Sequence, residues 1–215
     1  VKEILSSLEG KNREEKINFT NKYLSDKIET DKKSRSIYSV INYNSEIQDY
    51  EVYNDPKKLY QSFLSVGSKN KSFNSKSFFI SSKENIQDEV NEVLDLLESN
   101  DLTLDEIINE VDRREKLVSD KFDEEDFETI YSFYSTMRHS FTYWAPTDQG
   151  GEGGFDNFVS NYSNKSQTSA KVKKINWWKV GGCDVVGALV GCRGGFWGAV
   201  IVGAGASVIS IIMQA

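Results

Sequence analysis

The run GGCDVVGALVGCRGGFWGAVIVGAGASVISIIMQA, residues 181–215, constrains this chain more than any other stretch. From residue 180 onward only Asp184 and Arg193 carry a formal charge, in a chain that is 27% charged. An apolar surface of that size aggregates if left in water, so protein or lipid must cover it. Every fourth residue from Cys183 is small: Cys183, Gly187, Gly191, Gly195, Ala199, Gly203 and Ser207. A neighbouring row reads Gly194, Gly198, Val202, Ala206 and Ser210. Small residues remove the side-chain spacer between helices, so backbone can touch backbone. Dispersion and weak Cα–H···O contacts then supply the attraction. Each glycine costs ~1 kcal/mol of helix propensity against alanine. Such a helix is poor in water and tolerable in a packed core or a bilayer.

A strict four-residue repeat drifts ~40° per step around an ideal helix. Either several partners pack on the row or the helix breaks, and Arg193-Gly194-Gly195 is the obvious place to break. The expectation is a C-terminal glycine-rich apolar helix or a helical hairpin, with a short arm near 184–192 and a longer one near 196–213. The longer arm is ~27 Å as a helix, close to the ~30 Å hydrocarbon core, and the shorter cannot span. The candidate membrane-inserting or helix-packing residues are Gly187, Gly191, Gly195, Ala199, Gly203 and Ser207. Trp177, Trp178 and Trp197 are aromatics of the kind found at headgroup depth. Lys179 lies beside them with Lys171, Lys173 and Lys174, the only basic cluster, and each could gain ~1 kcal/mol near an anionic surface. Trp177, Trp178, Lys179 and Trp197 are therefore expected as interface anchors. Three fates remain open for the tail: burial alone, burial as a stored membrane-active form, or permanent anchoring.

Upstream, the pattern is helical. Residues 2–27 place Ile4, Leu5, Leu8, Ile17, Phe19 and Leu24 at roughly helical spacing, with a break expected near Gly10. The stretch 35–50 reads as a helix or a strand. Pro56 suits the first turn of a short helix. Ser82 is expected to cap a helix ending near Ser99, Thr103 and Glu106 form a capping box, and Asp123 starts a helix that Pro146 stops. Short connections between the last three predict an antiparallel bundle, so the fold class is all-α. The expected organisation is an aromatic-rich helical domain over 1–145, a Gly/Ser/Asn-rich linker over 146–175 and the apolar tail over 176–215.

Several functions are disfavoured. A net charge of −7, with acids and bases interleaved, argues against a nucleic-acid partner. One histidine, His139, and two cysteines, Cys183 and Cys192, make no zinc spacing, so no metal or cofactor is implied. A disulfide needs the chain to turn between those cysteines, because nine residues of continuous helix separate them by ~13 Å. His139 and Ser140 point ~100° apart on a helix and make no nucleophile–base pair. The four acids from Asp123 fit a helix N-terminus. No enzymatic role is expected. The chain starts with Val1 rather than Met, which fits a mature or trimmed form.

The segment GGCDVVGALVGCRGG resembles the tails of bacteriocins and other glycine-zipper peptides. The pairing of MRHSFTYW at 137–144 with WWKVGG…D…GA…G is similar to uncharacterised secreted proteins of Bacteroidetes-type bacteria. These resemblances imply a secreted or envelope-located, membrane-active toxin. They also imply membrane lipid, an immunity or carrier protein and a second glycine zipper as partners. The chain departs from bacteriocins in carrying some 145 residues of aromatic-rich sequence before the tail. The other expectation is a structural or partner-binding extracellular protein whose tail is simply its core.

Overall fold

The structure is a computed structural model and describes residues 4, 7, 8, 10–30, 49–69, 84–99, 102–154, 156, 176–191 and 195–214. Its helices are α1 (Arg13–Thr30), α2 (Pro56–Lys69), α3 (Glu84–Ser99), α4 (Leu104–Lys121), α5 (Glu124–Trp144), α6 (Trp177–Gly191) and α7 (Gly195–Gln214). Two 3-10 turns, Tyr50–Asn54 and Thr147–Gln149, accompany them. There is no strand among the described residues, and the all-α expectation holds.

Local chemistry explains most of the helix starts. Thr103 and Glu106 form the reciprocal box: the Thr103 N–H donates to Glu106 Oε2 at 2.8 Å and the Glu106 N–H to Thr103 Oγ1 at 3.3 Å. Asp123 accepts from the Asp126 N–H at 3.0 Å. Asp55 accepts from the Lys58 N–H at 3.0 Å, placing Pro56 in the first turn of α2, where its missing N–H costs nothing. Asn12 and Glu15 make a second box at the head of α1, with bonds of 2.8 and 2.9 Å. Gly10, before it, takes a φ of 73° that a side chain would disfavour. The α5 helix stops at Ala145, held extended by Pro146. Ser82 and the stretch 35–48 lie outside the described residues.

The expected linker is structured at its start. Gly151, Glu152 and Gly153 fold back so that their N–H groups donate to the carbonyls of Pro146, Thr142 and Ala145. Those bonds satisfy carbonyls at the end of α5. Asp156 closes the turn by accepting from the Thr147 N–H at 3.1 Å. Residues 157–175 lie outside the described residues.

One core runs through α2 to α7. It joins Tyr53, Phe63, Val90, Phe133, Phe141 and Trp144 to Val180, Val186, Val202 and Ile209. The α6 helix sits at its centre, packed on α2, α5 and α7. Every residue of α6 is buried except Trp178, Lys179 and Asp184, which are partly buried. This is the environment an apolar helix without a polar face requires. A second cluster sets Ile4, Leu8, Ile17 and Leu24 against Val208 and Ile212 near the end of α7.

The first arm of the tail differs from its expected span. It begins at Trp177, not near 184, because burial covers the early turns that water would fray. The Asn176 N–H donates to Gln214 Oε1 at 2.8 Å, and Asn176 Oδ1 accepts from the Trp178 N–H at 3.3 Å. The start of α6 therefore meets the end of α7, and the two helices run antiparallel.

Candidate functional site

The small residues decide how closely α6 and α7 approach. A Cβ added at Gly187 would lie 2.7 Å from Val202 O, 2.8 Å from Ala206 Cβ and 3.0 Å from Gly203 Cα. One added at Gly203 would lie 2.6 Å from Asp184 Oδ1, 2.9 Å from Asp184 O and 3.2 Å from Ala188 Cβ. Neither position has room for a methyl group. The glycines near the start of α6 face elsewhere. Gly182 abuts Pro56, with an added Cβ 2.5 Å from its Cγ, and Gly181 faces the Phe141 ring, which an added Cβ would meet at 3.4 Å. The tail's small residues thus meet three elements, α2, α5 and α7.

Of the other candidate packing residues, Gly191 is buried at the end of α6 and Ala199 is half-buried on α7. Ser207 is buried, and its hydroxyl donates back to Ala204 O at 3.1 Å. Gly195 opens α7. Among the expected anchors, Trp177 sits in the core, edge-on to Phe141 with centroids 6.0 Å apart. Trp178 and Lys179 are partly buried, and Trp178 packs against the core. Trp197 lies on α7. The packing around Gly195, the side chain of Trp197, and Lys171, Lys173, Lys174 and Cys192 lie outside the described residues. Cys183 is a free buried thiol that donates to Tyr53 O at 3.2 Å. Burial pushes its pKa up to about 12. Almost no thiolate forms near neutral pH, so it is inert.

One polar group interrupts the hairpin. Asp184 Oδ2 accepts from Ser140 Oγ at 2.7 Å and from Trp144 Nε1 at 3.3 Å, both on α5. Ser140 also reaches Gly181 O at 3.3 Å. Some of Asp184's surface stays accessible, yet burial raises its pKa, and the two hydrogen bonds offset only part of that rise. Among the described residues no lysine or arginine helps to hold it ionised, and the charge of the chain's amino terminus does so only weakly. His139, exposed beside Ser140, takes no part in these bonds.

The partners of Asp184 were not picked out in the sequence, although a signal existed. Asp184 is the only acid in the apolar run, and Ser140 and Trp144 belong to MRHSFTYW. The two quoted stretches meet in space: Phe141 packs on Trp177 and Gly181, while Ser140 and Trp144 hold Asp184. Separations of about forty residues hide such pairs from any local pattern.

A second polar node lies between α3, α4 and α5. Glu89, 4% exposed, accepts from Arg114 at 2.7 Å, from Lys121 at 2.8 Å and from the Tyr134 hydroxyl. Glu110 joins through Arg113 and Arg114. The cleft beside it has a volume of about 80 Å³ and is lined by cations and carboxylates together. That balance favours neither anions nor cations. Among the described residues, no group of three or more His, Cys, Asp or Glu is placed to hold a metal ion, and no helix is long and apolar enough to cross a membrane.

No family model, no curated protein and no solved structure matches this chain.

Proposed function

We propose that the protein is a bacteriocin-like, membrane-active toxin or its storage form, secreted or held in the cell envelope, which carries its glycine-rich hairpin inside a helical bundle. The Gly187–Gly203 contact supports this reading. It is internal to the hairpin, so α6 and α7 can keep it after leaving the bundle. The contacts of Gly181 with Phe141, of Gly182 with Pro56, of Asp184 with α5 and of Val208 and Ile212 with Ile17 and Leu24 are among those given up. Adsorption begins at the start of α6, where Lys179 and Trp178 retain access to solvent, helped by the upstream lysines. Two helices then enter lipid as a pair rather than as one spanning helix, and further hairpins join through small-residue faces. An immunity or carrier protein is the expected partner in the producing cell.

A second reading, from a different class, is a non-enzymatic extracellular structural or partner-binding protein whose tail is only its core. The burial of all but three residues of α6 favours it.

Dye-loaded vesicles of phosphatidylcholine and phosphatidylglycerol separate the two. The membrane reading expects the full chain to release dye, less so as salt screens the lysines. Intact vesicles and unchanged tryptophan emission at high protein-to-lipid ratio decide for the second reading.

A further inference from the structure

The way Asp184 is held carries an inference about how the hairpin would be released, and it rests on the membrane reading. Asp184 is the only acid on α6 and α7. It is met by two donors from α5, Ser140 and Trp144; no lysine or arginine among the described residues bonds to it, and the charge of the chain's amino terminus favours its ionised form more weakly than either donor does. The titratable groups facing it are few. Tyr143 on α5 and Cys183 on α6 are each raised partly by its charge, and both stay neutral near neutral pH. The α7 helix presents Gly203, whose missing side chain makes room for the carboxylate. Lys179 lies five residues back on the same helix.

The geometry points to a proton-controlled latch: Asp184, gripped by Ser140 and Trp144, keeps the α6–α7 hairpin in the bundle while ionised and lets it pass into lipid once protonated. Inside the bundle the carboxylate has two hydrogen bonds to replace water. In hydrocarbon it has neither donor, because both belong to α5 and stay behind. The charged form is therefore worse placed in lipid than in the bundle, and the carboxyl's pKa is higher there. Linkage fixes the direction: the state with the higher pKa gains as pH falls. Acid shifts the balance toward the inserted hairpin although it also eases burial in the bundle. A negatively charged membrane supplies the trigger by concentrating protons at its surface.

Asp184→Asn keeps the shape and accepts the same two hydrogen bonds without a charge to desolvate. The test compares full-length wild type and Asp184→Asn on vesicles of phosphatidylcholine and phosphatidylglycerol. The readout is the ratio of their dye-release rates, which cancels the general effect of pH on the other acids. The expected ratio of variant to wild type is about tenfold near pH 7 and falls toward one near pH 4, as acid protonates the wild-type carboxyl, whose pKa burial raises. Ser140→Ala, which removes the shorter bond, raises release near pH 7 and leaves it unchanged near pH 4. A ratio that stays the same at both pH values, with both proteins releasing dye, overturns the latch and leaves the membrane reading standing. No release by either protein at either pH overturns the membrane reading, and the latch falls with it.

Discussion

Glu89 and Asp184 are both carboxylates taken largely from water, and the two halves of the molecule treat them in opposite ways. Among α3, α4 and α5, burial alone would raise the pKa of Glu89, but bonds from Lys121, Tyr134 and Arg114 outweigh it and lower the pKa. On α6, burial of Asp184 prevails over Ser140 and Trp144 and the pKa is raised. Two uncharged donors satisfy the oxygens without cancelling the charge. The consequences for stability have opposite signs. Glu89 stabilises the fold above its ordinary pKa, and that contribution is lost as pH falls through the lowered folded value. Asp184 favours the fold fully only below its ordinary pKa, and that contribution is lost as pH rises through the raised folded value. One region is built to keep its charge and the other to tolerate it.

The largest effect expected concerns the hairpin's geometry. Gly187→Leu drives a side chain against Val202 O and Gly203 Cα, neither of which can rotate away. It should cost about 3 kcal/mol or more, or prevent folding, in a thermal or urea melt. Gly187→Ala should be milder and partly rescued by Ala206→Gly, which removes the methyl 2.8 Å away. Absence of coupling in that double-mutant cycle would mean that Gly187 and Ala206 do not approach so closely.

Next is the charged node. Arg114→Met leaves Glu89 short of its best-buried cation and should cost about 3 kcal/mol near neutral pH, less in acid where Glu89 takes a proton. A loss no larger than that of an exposed pair would erase the contrast from the Glu89 side. Ser140→Ala should cost about 1.5 kcal/mol near neutral pH, the scale of a hydrogen bond to a charged acceptor.

The smallest change has the most distinctive sign. Asp184→Asn should stabilise the protein near pH 7 in a thermal or urea melt, because burial raises the folded pKa of the carboxyl above its ordinary value. The gain should vanish near pH 4. A variant less stable than wild type near pH 7 would show that the ionised carboxylate is favoured in the bundle, and the two regions would no longer differ in kind.

What could be read from the sequence divides along the same lines. Thr103 with Glu106, Asp123 and Pro56 announce helix starts because their chemistry closes within three residues. The box of Asn12 and Glu15 closes equally locally, just beyond the break at Gly10 that masks it in the sequence. The row from Cys183 to Ser207 marks small residues but not their neighbours. Gly187 meets α7 and Gly182 meets Pro56, and nothing within four residues of either distinguishes them. Trp177 reads as an interface aromatic by composition. Its place beside Phe141 depends on α5 folding across it, which no periodicity encodes. The grip of Ser140 and Trp144 on Asp184 is hidden for the same reason.

The central position of α6 and α7 also has a consequence for how the chain is made. Synthesis runs from the amino end, so these two helices leave the ribosome after every helix whose apolar face they cover. Until they arrive, Phe63, Phe133, Phe141 and Trp144 lack much of the core that buries them. Ile17 and Leu24 likewise wait for Val208 and Ile212, nearly two hundred residues downstream. Contacts of that span close late and slow folding. A nascent chain still lacking α6 and α7 is therefore expected to leave the central groove open to aggregation and to chaperones, which limited proteolysis of stalled chains would test. On the membrane reading, departure of the hairpin would open that same groove again.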